Sequence, residues 1–209
     1  MIHVLSRRPL AVAAGSVVVD VLMVAAKLLI GLLSGSLGLV ADAAHSALDL
    51  VSSLFALLAV RAAAKPADTE HPYGHGRAEN LAAYTEGLLL GIAAVGIGYE
   101  AVHRLLSGGH LVNASLLAIG LPAAAILVES VRAIVLRAVG RASASAALEA
   151  NAVNRMADIV SSLGVLVGLL GVRMGVEWAD SAAALLVAGV IAASAFNLLR
   201  HAGDILIDR

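Results

Sequence analysis

Leu39-Val-Ala-Asp42-Ala-Ala-His45-Ser-Ala-Leu-Asp49-Leu-Val-Ser-Ser-Leu54 returns without gaps as Leu148-Glu-Ala-Asn-Ala-Val-Asn154-Arg-Met-Ala-Asp158-Ile-Val-Ser-Ser-Leu163. Half of the aligned positions are identical, including Asp49/Asp158 and the Val-Ser-Ser-Leu tail. Apolar sequence rich in Ala, Leu and Ser matches itself easily by chance. Polar residues at equivalent places are what make this a repeat. In each copy a His or Asn stands four residues before an Asp. On a helix the two lie on one face, one turn apart.

The surroundings say what kind of helix carries each copy. The chain has 209 residues, 60% of them hydrophobic, and only 3% aromatic. Its mean hydropathy is +0.94. Soluble domains hold about 45–50% apolar residues, so this is a membrane composition. A spanning helix needs about 20 mostly apolar residues. Six segments qualify, at about 10–33, 37–61, 80–106, 111–136, 144–174 and 179–200. Arg7 and Arg8 precede the first, but that apolar stretch runs to Leu33. It is too long for the apolar part of a signal peptide and long enough to span. The expected fold is an all-α integral membrane protein of six transmembrane helices in a single domain over residues 1–209.

The repeat sits on the second and fifth helices. They are an odd number of helices apart, so the copies cross the bilayer in opposite directions. That predicts an inverted repeat, helices one to three against four to six. Secondary transporters are commonly built so, with substrate held near the midplane at the repeat interface.

Basic residues set the orientation. With the N-terminus inside, the inner side holds Arg7, Arg8, Arg61, Lys65, Arg77, Arg132, Arg137, Arg141, Arg200 and Arg209. The outer side holds only Arg104 and Arg173. Both termini are expected in the cytoplasm, in a bacterial inner membrane. Only nine residues follow the sixth span, so no soluble C-terminal domain is expected. Net charge is −1, which gives no reason to expect a nucleic-acid partner. There is no cysteine, so any metal site must use His nitrogen and Asp, Glu or Asn oxygen.

If the second and fifth helices face each other, His45, Asp49, Asn154 and Asp158 converge. One imidazole, two carboxylates and an amide oxygen can complete a tetrahedral shell around Zn²⁺. Two carboxylates balance a divalent charge. An unpaired Asp at the bilayer centre costs about 2.5–3.5 kcal/mol on insertion scales. A cation between the two removes that cost, and protons can take its place when it leaves. A single intramembrane Asn or His more often serves only to cap or hydrogen-bond helices. Two such pairs at matching repeat positions point to a metal.

These features resemble the cation diffusion facilitator family of metal/proton antiporters. The resemblance rests on Ser36-Leu-Gly-Leu-Val-Ala-Asp42-Ala-Ala-His45-Ser-Ala-Leu-Asp49, on the loop His71-Pro-Tyr-Gly-His75-Gly-Arg77-Ala-Glu79, and on Asn154-Arg-Met-Ala-Asp158-Ile-Val-Ser-Ser-Leu. It implies metal efflux in exchange for protons, by rocking of helices around the paired residues. Zinc members usually carry His or Asp where this chain has Asn154, and an amide cannot take a proton. Some manganese-type members carry Asn there but usually have Asp in place of His45. An oxygen-rich shell suits Mn²⁺ or Fe²⁺, and the imidazole favours Zn²⁺ or Co²⁺. Zinc is the expected substrate, with cadmium a companion. The resemblance also implies a homodimer, and a C-terminal soluble domain that most members have.

Other polar groups have less specific readings. Asp68, His71 and His75 carry metal-ligand chemistry for a second ion on the cytoplasmic side. Asp42, one turn before His45, is placed to orient the imidazole or relay protons. Asp20, Lys27, Glu86 and Glu129 lie in or near spans and are expected to pair, with Asp20–Lys27 one candidate pair. Gly87-x-x-x-Gly91 and Gly164-x-x-x-Gly168 allow close helix approach, and the third helix is a candidate dimer face.

A membrane metal sensor that binds without turnover would use the same ligands. An intramembrane metalloenzyme is not expected: the chain has no His-Glu-x-x-His and no Gly-x-Ser-x-Gly. The inverted repeat favours transport over sensing, because it supplies two oppositely facing states.

Overall fold

The computed structural model describes residues 9–63, 78–108, 111–143 and 146–206, with side chains over a smaller part of that range. The described residues contain six helices: α1 Pro9–Ser34, α2 Leu37–Ala63, α3 Ala78–Leu106, α4 Leu116–Ser143, α5 Ala146–Arg173 and α6 Ala179–Leu206. No strand occurs among the described residues. Five of the six, all but α2, are long and apolar enough there to cross a membrane. The α2 helix matches them in length at 27 residues, but its side chains beyond Val51 fall outside the described set.

The helices end where backbone chemistry requires it. Gly35 adopts a left-handed φ of 72° and turns α1 into α2 within two residues. Gly175, with φ 91°, closes α5 in a Schellman motif. Its N–H and that of Val176 bond back to Val172 and Gly171 at 3.0 and 2.9 Å.

Two helices depart from the sequence reading by more than two residues. The fourth helix was expected over 111–136 and runs over Leu116–Ser143. Leu111 and Val112 extend the apolar run. However, Asn113 gives its N–H to the Ser34 carbonyl at 2.8 Å, and Ser115 caps the helix by accepting from the Ala118 N–H at 3.2 Å. The sixth helix was expected to stop at 200 and continues to Leu206. Its last turns carry Arg200, His201 and Asp204, so helix outlasts the apolar run.

The packing follows the expected exchange of halves. α1 packs on α2 as α4 packs on α5, and α2 on α3 as α5 on α6. The pairs α1–α4, α2–α5 and α3–α6, each its own counterpart under that exchange, are all in contact. One substantial contact breaks the pattern: α2 packs against α6, whereas among the described residues α5 meets α3 marginally at most. The core holds Leu39, Ala41, Val165, Leu169, Val187 and Ile191, all fully buried. Gly168 lets α6 approach closely. A Cβ there would meet that of Ala183 at 2.6 Å. Gly87 does the same for α3 against Leu199 of α6. These small residues serve contacts within the chain.

Candidate metal site

The polar contacts between α2 and α5 fix their relative direction. Asp42 accepts from Ser161 at 2.7 Å and Ser162 at 2.9 Å, whereas Ser46, one turn on, meets Asp158 at 3.4 Å. Rising along α2 means descending along α5, so the two run antiparallel, as an inverted repeat requires.

At the crossing, His45, Asp49 and Asp158 come together. One ligand atom from each lies within 4.8 Å of the others. A tetrahedral zinc shell with bonds of about 2.0 Å needs ligand atoms about 3.3 Å apart, a contraction within reach of side-chain rotation. His45 is 3% exposed and Asp158 fully buried. Neither imidazole nitrogen of His45 has a hydrogen-bond partner among the described residues. Burying such a group unsatisfied is costly, and a cation at the lone pair relieves it. Asn154 lies on α5 one turn before Asp158, but its side chain is outside the described residues, as are Asp68, His71 and His75.

A cavity of about 430 Å³ opens from His45 and Asp49. His45, Asp49, Glu86, Leu90, Ala157, Ser194, Asn197 and Leu198 line it. Glu86 lies near the start of α3, Ala157 in the first half of α5, and Ser194 and Asn197 in the second half of α6. All therefore lie toward the end of the bundle that carries the termini. Glu86, Ser194 and Asn197 were not assigned to the site from sequence. An intramembrane Glu86 was a sufficient signal. Ser194 and Asn197 lie outside the repeated stretch and carried none.

At the opposite end, polar contacts tie the start of α6 and the end of α3 to the α1–α2 turn. Asp180, at the start of α6, accepts the Leu37 N–H at 2.8 Å, the Gly38 N–H at 3.3 Å and the Ser36 hydroxyl. A carboxylate thus sits at the positive end of α2. Arg104 ties α3 to the same turn, donating to the Gly35 carbonyl at 2.9 Å and pairing with Glu100 at 2.8 Å.

Two charge networks flank the ligands, and both correct the sequence reading. Lys27 pairs with Asp42 at 2.9 Å, not with Asp20. Its ammonium also donates to Ser46 at 3.1 Å and Ser162 at 3.3 Å. Asp42 therefore serves Lys27 and two serines, and is not hydrogen-bonded to His45. Its side chain faces α5, where Ser161 and Ser162 take up both oxygens. Asp20 instead bonds Arg155 and Arg132, each at 2.7 Å. Arg132 also bonds Glu129 at 2.7 Å. Counted from sequence among the inner-side charges, Arg132 is in fact well inside the bundle, where two carboxylates pay for its burial.

Comparison with known proteins gives the family of the chain. Residues 14–207 match the cation efflux transmembrane domain family. An uncharacterized transporter of Methanocaldococcus jannaschii is 34% identical over 93% of this chain and 68% of its own length. Metal tolerance protein C1 of Arabidopsis thaliana is 36% identical over 82% of this chain and 40% of its own. The cation-efflux pump FieF of Shewanella oneidensis is 32% identical over 93% of this chain and 65% of its own. The chain thus spans between 40% and 68% of the length of these relatives. With the family match covering nearly every helix, the chain is an integral membrane protein that belongs to the cation diffusion facilitator family.

Proposed function

We propose that this chain carries a divalent metal cation across the bilayer by alternating access, with zinc the principal substrate, cadmium a companion, and protons the counter-ion. The observation that carries the reading is the buried His45, without a hydrogen-bond partner at either nitrogen among the described residues, within 4.8 Å of Asp49 and Asp158. Two carboxylates match the charge of one divalent ion, and imidazole selects the zinc side of the first-row series. Carboxylates and imidazole release the metal when protonated, so protons entering from the far side drive exchange. Asn154 adds an oxygen to the set.

The cavity gives the ion a route from the end that carries the termini. With the termini inside, by the excess of basic residues there, that route opens to the cytoplasm of a bacterial inner membrane. The outer end is latched by Asp180 and Arg104. The unmatched α2–α6 contact supports the same picture, because one state of an inverted-repeat carrier breaks the symmetry between its halves. In the opposite state α5 would take α2's role against α3. The exposed stripe Tyr84, Leu88, Ile92, Val95, Tyr99 and Val102 on α3 is the face for a second copy in a homodimer.

Calorimetry on the detergent-solubilised protein tests the site. Zn²⁺ should bind at a site lost in His45→Ala and Asp49→Ala. Wild-type affinity in either variant would rule out this ligand set.

A further inference from the structure

Arg155 is the one cation whose side chain touches the ligand cluster among the described residues, and the ligand set alone does not account for it. It is 5% exposed. Its Nη1 lies 3.0 Å from Asp158 Oδ2, 2.7 Å from Asp20 Oδ1 and 3.6 Å from Glu129 Oε2. One guanidinium nitrogen thus stands among carboxylates from α1, α4 and α5. The contact to Asp20 is a well-formed hydrogen bond. The approach to Asp158 is close, yet Asp158 Oδ2 has no aligned hydrogen bond among the described residues. The guanidinium is anchored at Asp20 and leans on Asp158.

Charge counting gives the lean a meaning. Among the described residues, Asp20, Asp49, Glu129 and Asp158 set four carboxylates against the two guanidiniums of Arg132 and Arg155, and Glu86 adds a fifth beside Asp49, so negative charge is in excess where a cation would sit. Arginine keeps its proton in proteins, so Arg155 can answer an arriving cation only by moving. Asp20 and Glu129 give it somewhere to go, and both keep Arg132 whether it arrives or not.

We propose that Arg155 is a tethered stand-in for the transported cation: it screens Asp158 in the empty site and withdraws onto Asp20 and Glu129 when the metal binds. This rests on Asp158 being a metal ligand. It makes Arg155 a positioning residue that weakens binding enough for the ion to leave. A divalent ion must displace one charge contact to enter, and regains the guanidinium's push on exit.

The test is zinc binding and transport kinetics with Zn²⁺ itself. Arg155→Gln should lower the Kd about tenfold, the scale of one partly screened charge contact, and should lower KM and kcat together, since tighter binding slows release. Arg155→Lys keeps the charge and should stay near wild type. Asp20→Asn takes away the retreat, and should raise the Kd severalfold in the wild-type background but have little effect beside Arg155→Gln. Weaker or unchanged binding in Arg155→Gln overturns the proposal, as does an Asp20→Asn effect of equal size in both backgrounds. Asp158→Ala separates the two levels. If it binds zinc as wild type does, the ligand assignment fails and the role of Arg155 with it. If it loses zinc while Arg155→Gln does not tighten binding, only the role of Arg155 fails.

Discussion

Asp42 and Asp158 are both fully buried aspartates at the α2–α5 crossing, each beside a cationic side chain from the same bundle. Their surroundings differ. Asp42 has Lys27 at 2.9 Å and a serine hydroxyl on each oxygen, and Lys27 spends its remaining donors on Ser46 and Ser162. Every polar atom in that network is used. Asp158 has a distant serine on one oxygen and a misaligned guanidinium near the other, and the imidazole beside it has no hydrogen-bond partner among the described residues. The first is a closed ion pair that holds helices together. The second is an open set of ligands that an ion would complete. Buried charge alone does not mark a site; unmet bonding capacity does.

The comparison breaks most easily at its largest expected effect. Asp158→Ala and Asp49→Ala should each reduce zinc affinity by roughly a hundredfold or more and abolish transport, a loss of about 2.7 kcal/mol or more. Either variant moving metal at the normal rate would place the site elsewhere.

Asp42→Ala should do something different. It leaves Lys27 buried without its counter-charge, at a cost of about 3–5 kcal/mol. Thermal unfolding in detergent should shift down sharply, while the folded fraction keeps its zinc affinity within about threefold, since no ligand is lost. Replacing the pair together, as Lys27→Met with Asp42→Leu, should recover most of the stability. Lost zinc binding in that double variant would merge the two networks and end the distinction.

Asn154→His sharpens the open side. An imidazole there should tighten zinc binding by about tenfold and make binding fall more steeply as pH drops, because a ligating imidazole must be neutral. An unchanged affinity and pH profile would mean that residue 154 points away from the ion. The smallest effect belongs to the cavity. Glu86→Gln should slow zinc uptake by about twofold to fivefold at low ionic strength and less at high salt, as for any charge that concentrates a cation near an entrance.

Much of this was legible in the sequence because the repeated stretch carries both fold and chemistry. Aligning His45/Asn154 and Asp49/Asp158 predicted the antiparallel crossing and brought three of its four residues together as found. The charge partners were not legible. Asp20 and Lys27 are seven apart on one helix and looked like a pair, but each faces a different neighbour. Which neighbour depends on the rotation of α1 against α2, α4 and α5, and apolar patterning in a membrane helix hardly encodes that. The start of α4 was hidden for a related reason: Leu111 and Val112 read as span, and the bond from Asn113 to Ser34 and the cap at Ser115 show that the chain is still turning there.

The central claim is that the ligand cluster moves metal rather than merely holding it. Metal-driven proton flux in proteoliposomes tests this most directly, with a pH-sensitive dye inside and pulses of Zn²⁺, Cd²⁺, Mn²⁺, Fe²⁺ and Co²⁺ outside. The account predicts flux with zinc and cadmium that disappears in Asp158→Ala. Tight zinc binding with no flux for any metal would contradict it, and would make the chain a membrane metal sensor.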